Sequence, residues 1–577
     1  MREDVYEPLS RYRDEFKDKF SRLAAEKFEE LLKTSGVDEQ ANQLLVAFIR
    51  KLEKIKTQTE NSRAGWGLLC AVFVLTALAG AGMVLFALFS ENPEYAALKL
   101  PLIAGGISLA GISLLLIFKW CMPVIKQFDD KIRKLGEQIA RKKQEAWEQL
   151  APLNALFEWN ITAQLIEQTV PRIQFDPFFS EARLQDLEQS FGWNGQFNES
   201  RSVIHAHSGV INSNPFVFAE LRRQEWRTAT YTGHLEISWT ETVRDSNGNT
   251  RRVRRYETLT ATVEKPIPVY LNDKLLIFGN EAAPDLDFSR HPSDLSGAES
   301  GLWNSIKRSG RLSKLKKLAR NLDDDSNFTM MSNEEFELLF HATDRNHEVQ
   351  FRLLFTPLAQ QQMVNLLNDK TVGFGDDFHF IKDNMINLII AKHFDDVSFS
   401  HDPAQFRGYE VENMRRYFCR YNEAFFKTLY FALAPLLIIP LYQQTRTRQA
   451  IWQQGAENTS SSWEHEAIAN YYGDDKFNHP ACITQSILKT RSTPADENNE
   501  RLVEVTAYGF RGEDRVDFVS VFGGDGHFHN VPVEWVEYLP VEHTSCFSVQ
   551  DAPPPEAVDP DKPDALLRRS IYSYINR

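Results

Sequence analysis

Histidine is the residue type in this 577-residue chain whose spacing comes nearest to a chemical site. His205 and His207 alternate in SVIHAHSGVI, and His527 and His529 alternate in HFHNV, so each pair shares one face of a strand. Two imidazoles at i and i+2 can chelate, but a zinc site needs a third and a fourth ligand with groups behind them. No HExxH occurs, and Cys70, Cys121, Cys419, Cys482 and Cys546 form no CxxC. The histidines therefore read as packing or surface residues, and neither metal nor cofactor is expected. Phosphate and nucleophile motifs are equally scarce. GxxxxGK[ST], GxGxxG and GxSxG are missing, and Gly523, Gly524 and Gly526 lie between two strands, where a hairpin turn accounts for them. The pairs Asp376/Asp377 and Asp395/Asp396 are adjacent, so on a strand their carboxylates point apart. No catalytic residue is nominated, and a non-enzymatic protein is the favoured reading.

One basic cluster is nominated as a contact surface. Between Trp303 and Leu322 stand Lys307, Arg308, Arg311, Lys314, Lys316, Lys317 and Arg320 with no acid among them. Leu312, Leu315, Leu318 and Leu322 recur opposite much of that charge. Such a helix suits the anionic inner face of a bilayer, where each Lys or Arg contributes about 1 kcal/mol. The competing reading is a solvated helix whose leucines pack on its own domain.

The elements that would position these residues begin with a membrane hairpin. Ala64 to Phe89 is 26 residues without a charge and Leu100 to Phe118 is 19 more. A bilayer core needs about 20 apolar helical residues to cross. Arg50, Lys51, Lys54, Lys56 and Arg63 precede the first run, and Lys119, Lys126, Lys131, Arg133 and Lys134 follow the second. The loop SENPEYAALK holds Lys99 against Glu91 and Glu94, so the positive-inside rule places both termini in the cytoplasm. The expectation is a multi-pass protein of the cell (inner) membrane. No ionisable residue lies within either run, which favours an anchor over an ion or substrate path. The spacing of Ala77, Gly80, Ala81, Gly106 and Gly111 suits close helix packing, within the hairpin or between copies.

The remainder is the composition of a folded chain, 42% hydrophobic and 12% aromatic, and its net charge of −14 weighs against nucleic acid as a partner. An α+β multidomain membrane protein is expected, in the following order. Residues 1–63 form a cytoplasmic helical region, 64–122 the transmembrane hairpin, and 123–170 a juxtamembrane helix that completes a stalk. Residues 171–281 form an antiparallel β domain with a turn at Asp245 to Asn249. A linker carrying the basic helix spans 282–326, and an α+β unit 327–400. In that unit strands are expected at Phe328 to Met331, Val349 to Leu354, Phe378 to Ile381 and Met385 to Ile390. Its helices start at a Ser332/Glu335 capping box and at Thr356 before Pro357. Residues 401–479 are helical and apolar. Within them Leu429 to Tyr442 is too short for a span and contains Pro435 and Pro440, so a core or interfacial segment is favoured over a third membrane element. A small β domain covers 480–550, and a Pro-rich tether with a terminal helix covers 551–577.

The stretch FTMMSNEEFELLFHATDRNHEVQFRLLFTPLAQQQMVNLL, with the strand pair DDFHFIKDNMINLIIAK, resembles the core of the bacterial domain-of-unknown-function 3137 family. The order of N-terminal helix, membrane hairpin and later β-rich region is similar too, so the likeness covers about residues 1–400. It implies fold and membrane attachment and carries no catalytic or binding residue across. Taken together, the expected function is that of a membrane-anchored cytoplasmic binding or scaffold protein. Its partners would be the bilayer, an unidentified protein, anionic lipid head groups or a second copy of the chain. The alternatives are a tethered enzyme with an unrecognised site in the β domain and, behind it, a transport or channel accessory protein.

Overall fold

The computed structural model describes residues 6–89, 98–244, 250–297, 302–320, 328–444, 459–496, 499–553 and 557–575. The Asp245 to Asn249 turn and most of the loop after the first apolar run fall outside these. The architecture is α+β, with two antiparallel sheets and two long apolar helices. The chain divides into two compact units, Ala25–Glu158 with Asp402–Arg420, and Met1–Ala24 with Trp159–His401 and Tyr421–Arg577.

In the smaller unit, Glu39–Phe89 and Lys99–Gln149 are each 51 residues long, and both are long and apolar enough to cross a membrane. Only 6% and 17% of their apolar windows are buried, whereas the core helix of a soluble domain would be covered. The two cross most closely at glycine. A Cβ on Gly80 would stand 2.7 Å from the Gly106 carbonyl oxygen, and one on Gly106 would stand 2.6 Å from that of Gly80. The small-residue spacing thus serves contact within the hairpin. Thr76 and Ser113 hydroxyls meet there at 2.9 Å, satisfying two polar groups in an apolar setting. Beyond the apolar stretch the same helices remain paired through Ile49, Leu52, Leu135, Ile139 and Ala146. Arg63–Asp129 and Lys143–Glu53 ion pairs, both 2.7 Å, flank that seam.

The larger unit holds both sheets. The first contains β1 (Ile173–Phe175), β2 (Arg201–Ile211), β3 (Asn214–Arg244), β4 (Thr250–Gly279), β5 (Phe288–Arg290), β6 (Phe378–Asp383) and β7 (Ile386–Ala391), in the order β1-β2-β3-β4-β7-β6-β5. The second contains β8 (Ile487–Ser492), β9 (Glu500–Phe522), β10 (Phe528–Asp551), β11 (Leu566–Arg568) and β12 (Ile571–Ile575), in the order β11-β12-β10-β9-β8. The helix Ser462–Tyr472 lies between them. Trp463 and Ala467 join Val203, Ala206, Val217 and Leu275 of the first sheet, while Ile468 and Ala469 join Val503, Val505, Phe547 and Ile571 of the second. A helix covered on two sides must bury polar positions as well, and Glu464, His465 and Glu466 are all buried.

Five expectations are corrected. The segment at Val349 to Leu354 is a helix, Glu348–Leu354, capped by His347. Its Val349, Phe351 and Leu353 imitate strand alternation, but Phe351 and Leu354 are buried at helical spacing while Val349 and Leu353 face solvent. Phe328 to Met331 adopts no regular structure. The helix after it is capped by Asn333, whose side chain accepts from the Phe336 amide, rather than by Ser332. The C-terminal segment is the strand pair β11–β12, because Ile571 and Tyr572 are needed to close the second sheet beside β10. The regions 171–281 and 327–400 are not separate sheets, since β4 pairs with β7 from Leu276↔Ile389 to Gly279↔Ile386. Thr356 does cap its helix. Leu429 to Ile439 is buried core, with Pro435 in the last turns of the helix Val411–Leu437.

Candidate functional site

His205 and His207 sit on β2 with a register shift between Val203 and His205, and both face inward. The loop after Phe399 delivers His401 to the same place. Ring centroids are 6.4 Å apart for His205–His207, 5.9 Å for His205–His401 and 5.8 Å for His207–His401, and one nitrogen of each ring lies within 4.8 Å of the others. All three are fully buried. Desolvation, with the nearby Arg569 and Arg568 charges, lowers each ring's pKa, that of His401 to about 3, so the imidazoles are neutral at pH 7.

Hydrogen bonds define how the rings present their nitrogens. His401 Nδ1 is 3.2 Å from the Tyr421 hydroxyl, which donates to the Ser398 and Ser400 carbonyls, so the ring donates at Nδ1 and keeps its lone pair on Nε2. His207 bonds the backbone of Asp176, and its Nδ1 has no partner among the described residues. His205 Nδ1 accepts from Arg568 at 3.1 Å, and its Nε2 likewise has no partner. Behind the rings, Arg568 and Arg569 both donate to Glu464, at 3.0 and 2.8 Å. Two guanidiniums and one carboxylate leave a local excess of one positive charge. Arg569 Nε and Nη1 are buried without partners among the described residues.

Arg569 reaches this position at a conformational cost. It and Ser570 form the two-residue turn between β11 and β12, with φ of 45° and 66°. Such turns favour Asn-Gly, so an arginine in the left-handed region stands where glycine would be easier. Three neutral imidazoles with nitrogens converging form a ligand set for a first-row divalent ion.

A second feature of the larger unit is a two-layered β arm. Beyond Gln224, β3 and β4 continue pairing out to Arg244↔Thr250, and β9 and β10 pair out to Phe522↔Phe528. The hairpins stack through Leu259, Ala261, Val531 and Val533. A Cβ on Gly233 would lie 2.0 Å from the Pro532 carbonyl oxygen, so the close approach requires glycine there. Lys265 pairs with Asp517 at 2.6 Å and lies 4.1 Å over the Trp535 ring, and the Gly524 amide donates to Glu257. With Val519 and Val521 turned inward, the alternate residues Val516, Phe518 and Phe522 face out, joined by Phe528. Phe518 and Phe528 are 68% and 72% exposed, large apolar side chains on a face they share with Ser520 and Asn530, where a solvated strand face would be polar throughout. At the arm's root a cleft of about 350 Å³ is lined by Tyr270, Tyr508, Phe510, Val541 and others, with Glu542 its single charged lining residue.

The nominated basic residues are largely engaged within their own unit. Lys307 and Arg311 pair with Asp294, Arg308 with Glu335 and Lys316 with Glu334, while Lys314, Lys317 and Arg320 are exposed. Leu315 is buried, as a helix packed on its own domain requires. The pair His527 and His529 gathers no third ligand among the described residues, and His529 bonds Asp525 instead. Sequence reasoning missed His401, Arg568 and Arg569, which no local motif marks. No family model, curated protein or solved structure matches this chain.

Proposed function

We propose that this chain is a membrane-anchored binding or scaffold protein whose β arm docks a protein partner. The observation that carries the reading is the set Val516, Phe518, Phe522 and Phe528, exposed on the outer face of an arm whose inner face packs around Leu259, Ala261, Val531 and Val533. Several large exposed apolar side chains gathered on one face of a folded unit mark an interaction site more often than a solvent face. Two long helices with uncovered apolar windows support the anchor, and the basic flanks support an inner-membrane hairpin with both termini and the arm in the cytoplasm. Membership of the domain-of-unknown-function 3137 family belongs to the same proposal and rests on the residues quoted above.

The test is a photo-crosslinking residue placed at Phe518, with the same residue at Thr228 on the other hairpin as the control. A discrete protein adduct in native membranes from position 518, lost when Phe528→Asp is added, is the expected result. Adducts equal at both positions, or to lipid alone, would count against docking of a protein on this face.

A further inference from the structure

We propose that His205, His207 and His401 bind one first-row divalent cation, with Zn²⁺ the reference ion, and that Arg569 holds a small anion as its fourth ligand. The inference rests on the buried core and is independent of the arm. Three histidines from β2 and from a loop about two hundred residues later converge in a fully buried site, and an i, i+2 pair with a third imidazole satisfies the protein ligand count of an open zinc site. A tetrahedral ion with bonds of about 2.0–2.1 Å needs nitrogens about 3.4 Å apart, which the rings, within 4.8 Å of one another, reach by closing no more than about 1.4 Å.

The groups behind the rings fit this role in two of the three cases. His401 and His207 each commit one ring nitrogen to a hydroxyl or to backbone, which fixes the orientation of the other, as outer groups do around metal-binding histidines. His205 differs, since Arg568 donates to its Nδ1 and the neutral ring therefore carries its proton on Nε2. An ion bound at Nε2 displaces that proton into solvent, and the guanidinium stays in contact with the more electron-rich ring that results.

The local charge sets the nature of the fourth ligand. Adding a divalent ion beside Arg568, Arg569 and Glu464, with the His205 proton released, raises the buried excess from one positive charge to two, which neutral ligands do not offset. An anion on the open position lowers it. Arg569 Nε and Nη1, buried without partners among the described residues and held by a left-handed backbone turn, supply the donors such an anion needs.

Metal content of the full-length detergent-purified protein tests the claim directly. One equivalent of a first-row metal per chain is expected in the native protein. At least a tenfold lower occupancy is expected in His207→Asn and His401→Asn, with His465→Asn, a buried histidine outside the cluster, unchanged. Where the variants fail to fold, the native protein carries the test: chelator stripping followed by Co²⁺ should produce tetrahedral ligand-field absorption saturating at one equivalent. Azide should then shift those bands, and in Arg569→Met the bands should persist while the azide response is lost. Absence of both native metal and Co²⁺ bands would overturn the proposal. So would thermal stabilisation by phosphate or chloride with no metal bound, which would make the cluster an anion site alone. Equal azide responses in the native and Arg569→Met proteins would remove the arginine from it.

Discussion

Two apolar runs of this chain end in opposite surroundings. Leu429 to Ile439 is buried within the larger unit, where Phe426 stacks on Phe20 at 4.3 Å and the Tyr430 hydroxyl bonds the Pro8 carbonyl. The helices Glu39–Phe89 and Lys99–Gln149 leave Leu75, Leu78, Leu85, Ile107 and Ile112 exposed by half or more. Composition alone barely separates them. Length does, because about 20 residues are required to cross a bilayer and the shorter run cannot, and burial follows the same division. The lesson is that an apolar segment declares its solvent through what covers it.

The sharpest way to break the contrast is to place a charge in the covered run. Leu433→Asp should cost more than about 4 kcal/mol and leave the larger unit unfolded by circular dichroism. Leu78→Ala, on an uncovered face, should change thermal stability by less than about 0.5 kcal/mol. Equal effects would mean that the hairpin's exposed side chains are covered by protein.

Within the hairpin, Gly80→Leu forces a side chain into the Gly106 backbone and should destabilise the helix pair by about 1–3 kcal/mol. Gly82→Leu meets nothing within 4 Å and should be silent in the same detergent melt. If both are silent, the helices do not cross at Gly80.

Burial of polar groups in the covered unit predicts a pH dependence. His465, enclosed beside Ser460 and Arg501, has its pKa lowered from 6.5 to about 3, chiefly by desolvation. Its folded form stays neutral while the unfolded chain takes up a proton, so its contribution to stability is complete above about pH 6.5 and declines as pH falls toward 3. The slope is at most about 1.4 kcal/mol per pH unit for this one group. Denaturant melts between pH 7 and 4 should show it, and His465→Asn should flatten the curve without abolishing it, since burial lowers the pKa of three other histidines as well.

The smallest expected effect concerns the basic helix. Joint reversal of Lys314, Lys317 and Arg320 to Glu should alter stability by less than about 0.5 kcal/mol, as expected of exposed charges. Binding of the protein to anionic liposomes should weaken; an unchanged affinity would leave the helix a solvated face.

How legible these features were depends on how local their causes are. The helical hairpin, the β3–β4, β6–β7 and β9–β10 pairs and the Thr356 cap each declare themselves within a few residues, whereas the β11–β12 pair reads as a terminal helix. The β4–β7 pairing joins segments over a hundred residues apart, so no periodicity reports it. Glu348–Leu354 misled because two of its exposed side chains are apolar. Arg568 and Arg569 carry no motif in the sequence, whereas the basic run at Lys307 is nominated there as a contact surface; in the structure the first two are buried and much of the run is paired within its own unit. His205 and His207 were visible as a chelating pair, but His401 becomes the third member only through the fold.

Protease access decides the central proposal, that the uncovered helices are membrane spans and the larger unit lies in the cytoplasm. In inverted vesicles, added protease should digest the region from residue 159 onward, and in intact spheroplasts it should spare it. Digestion in spheroplasts with protection in inverted vesicles, or release of the whole chain from membranes by alkaline carbonate, would contradict the account.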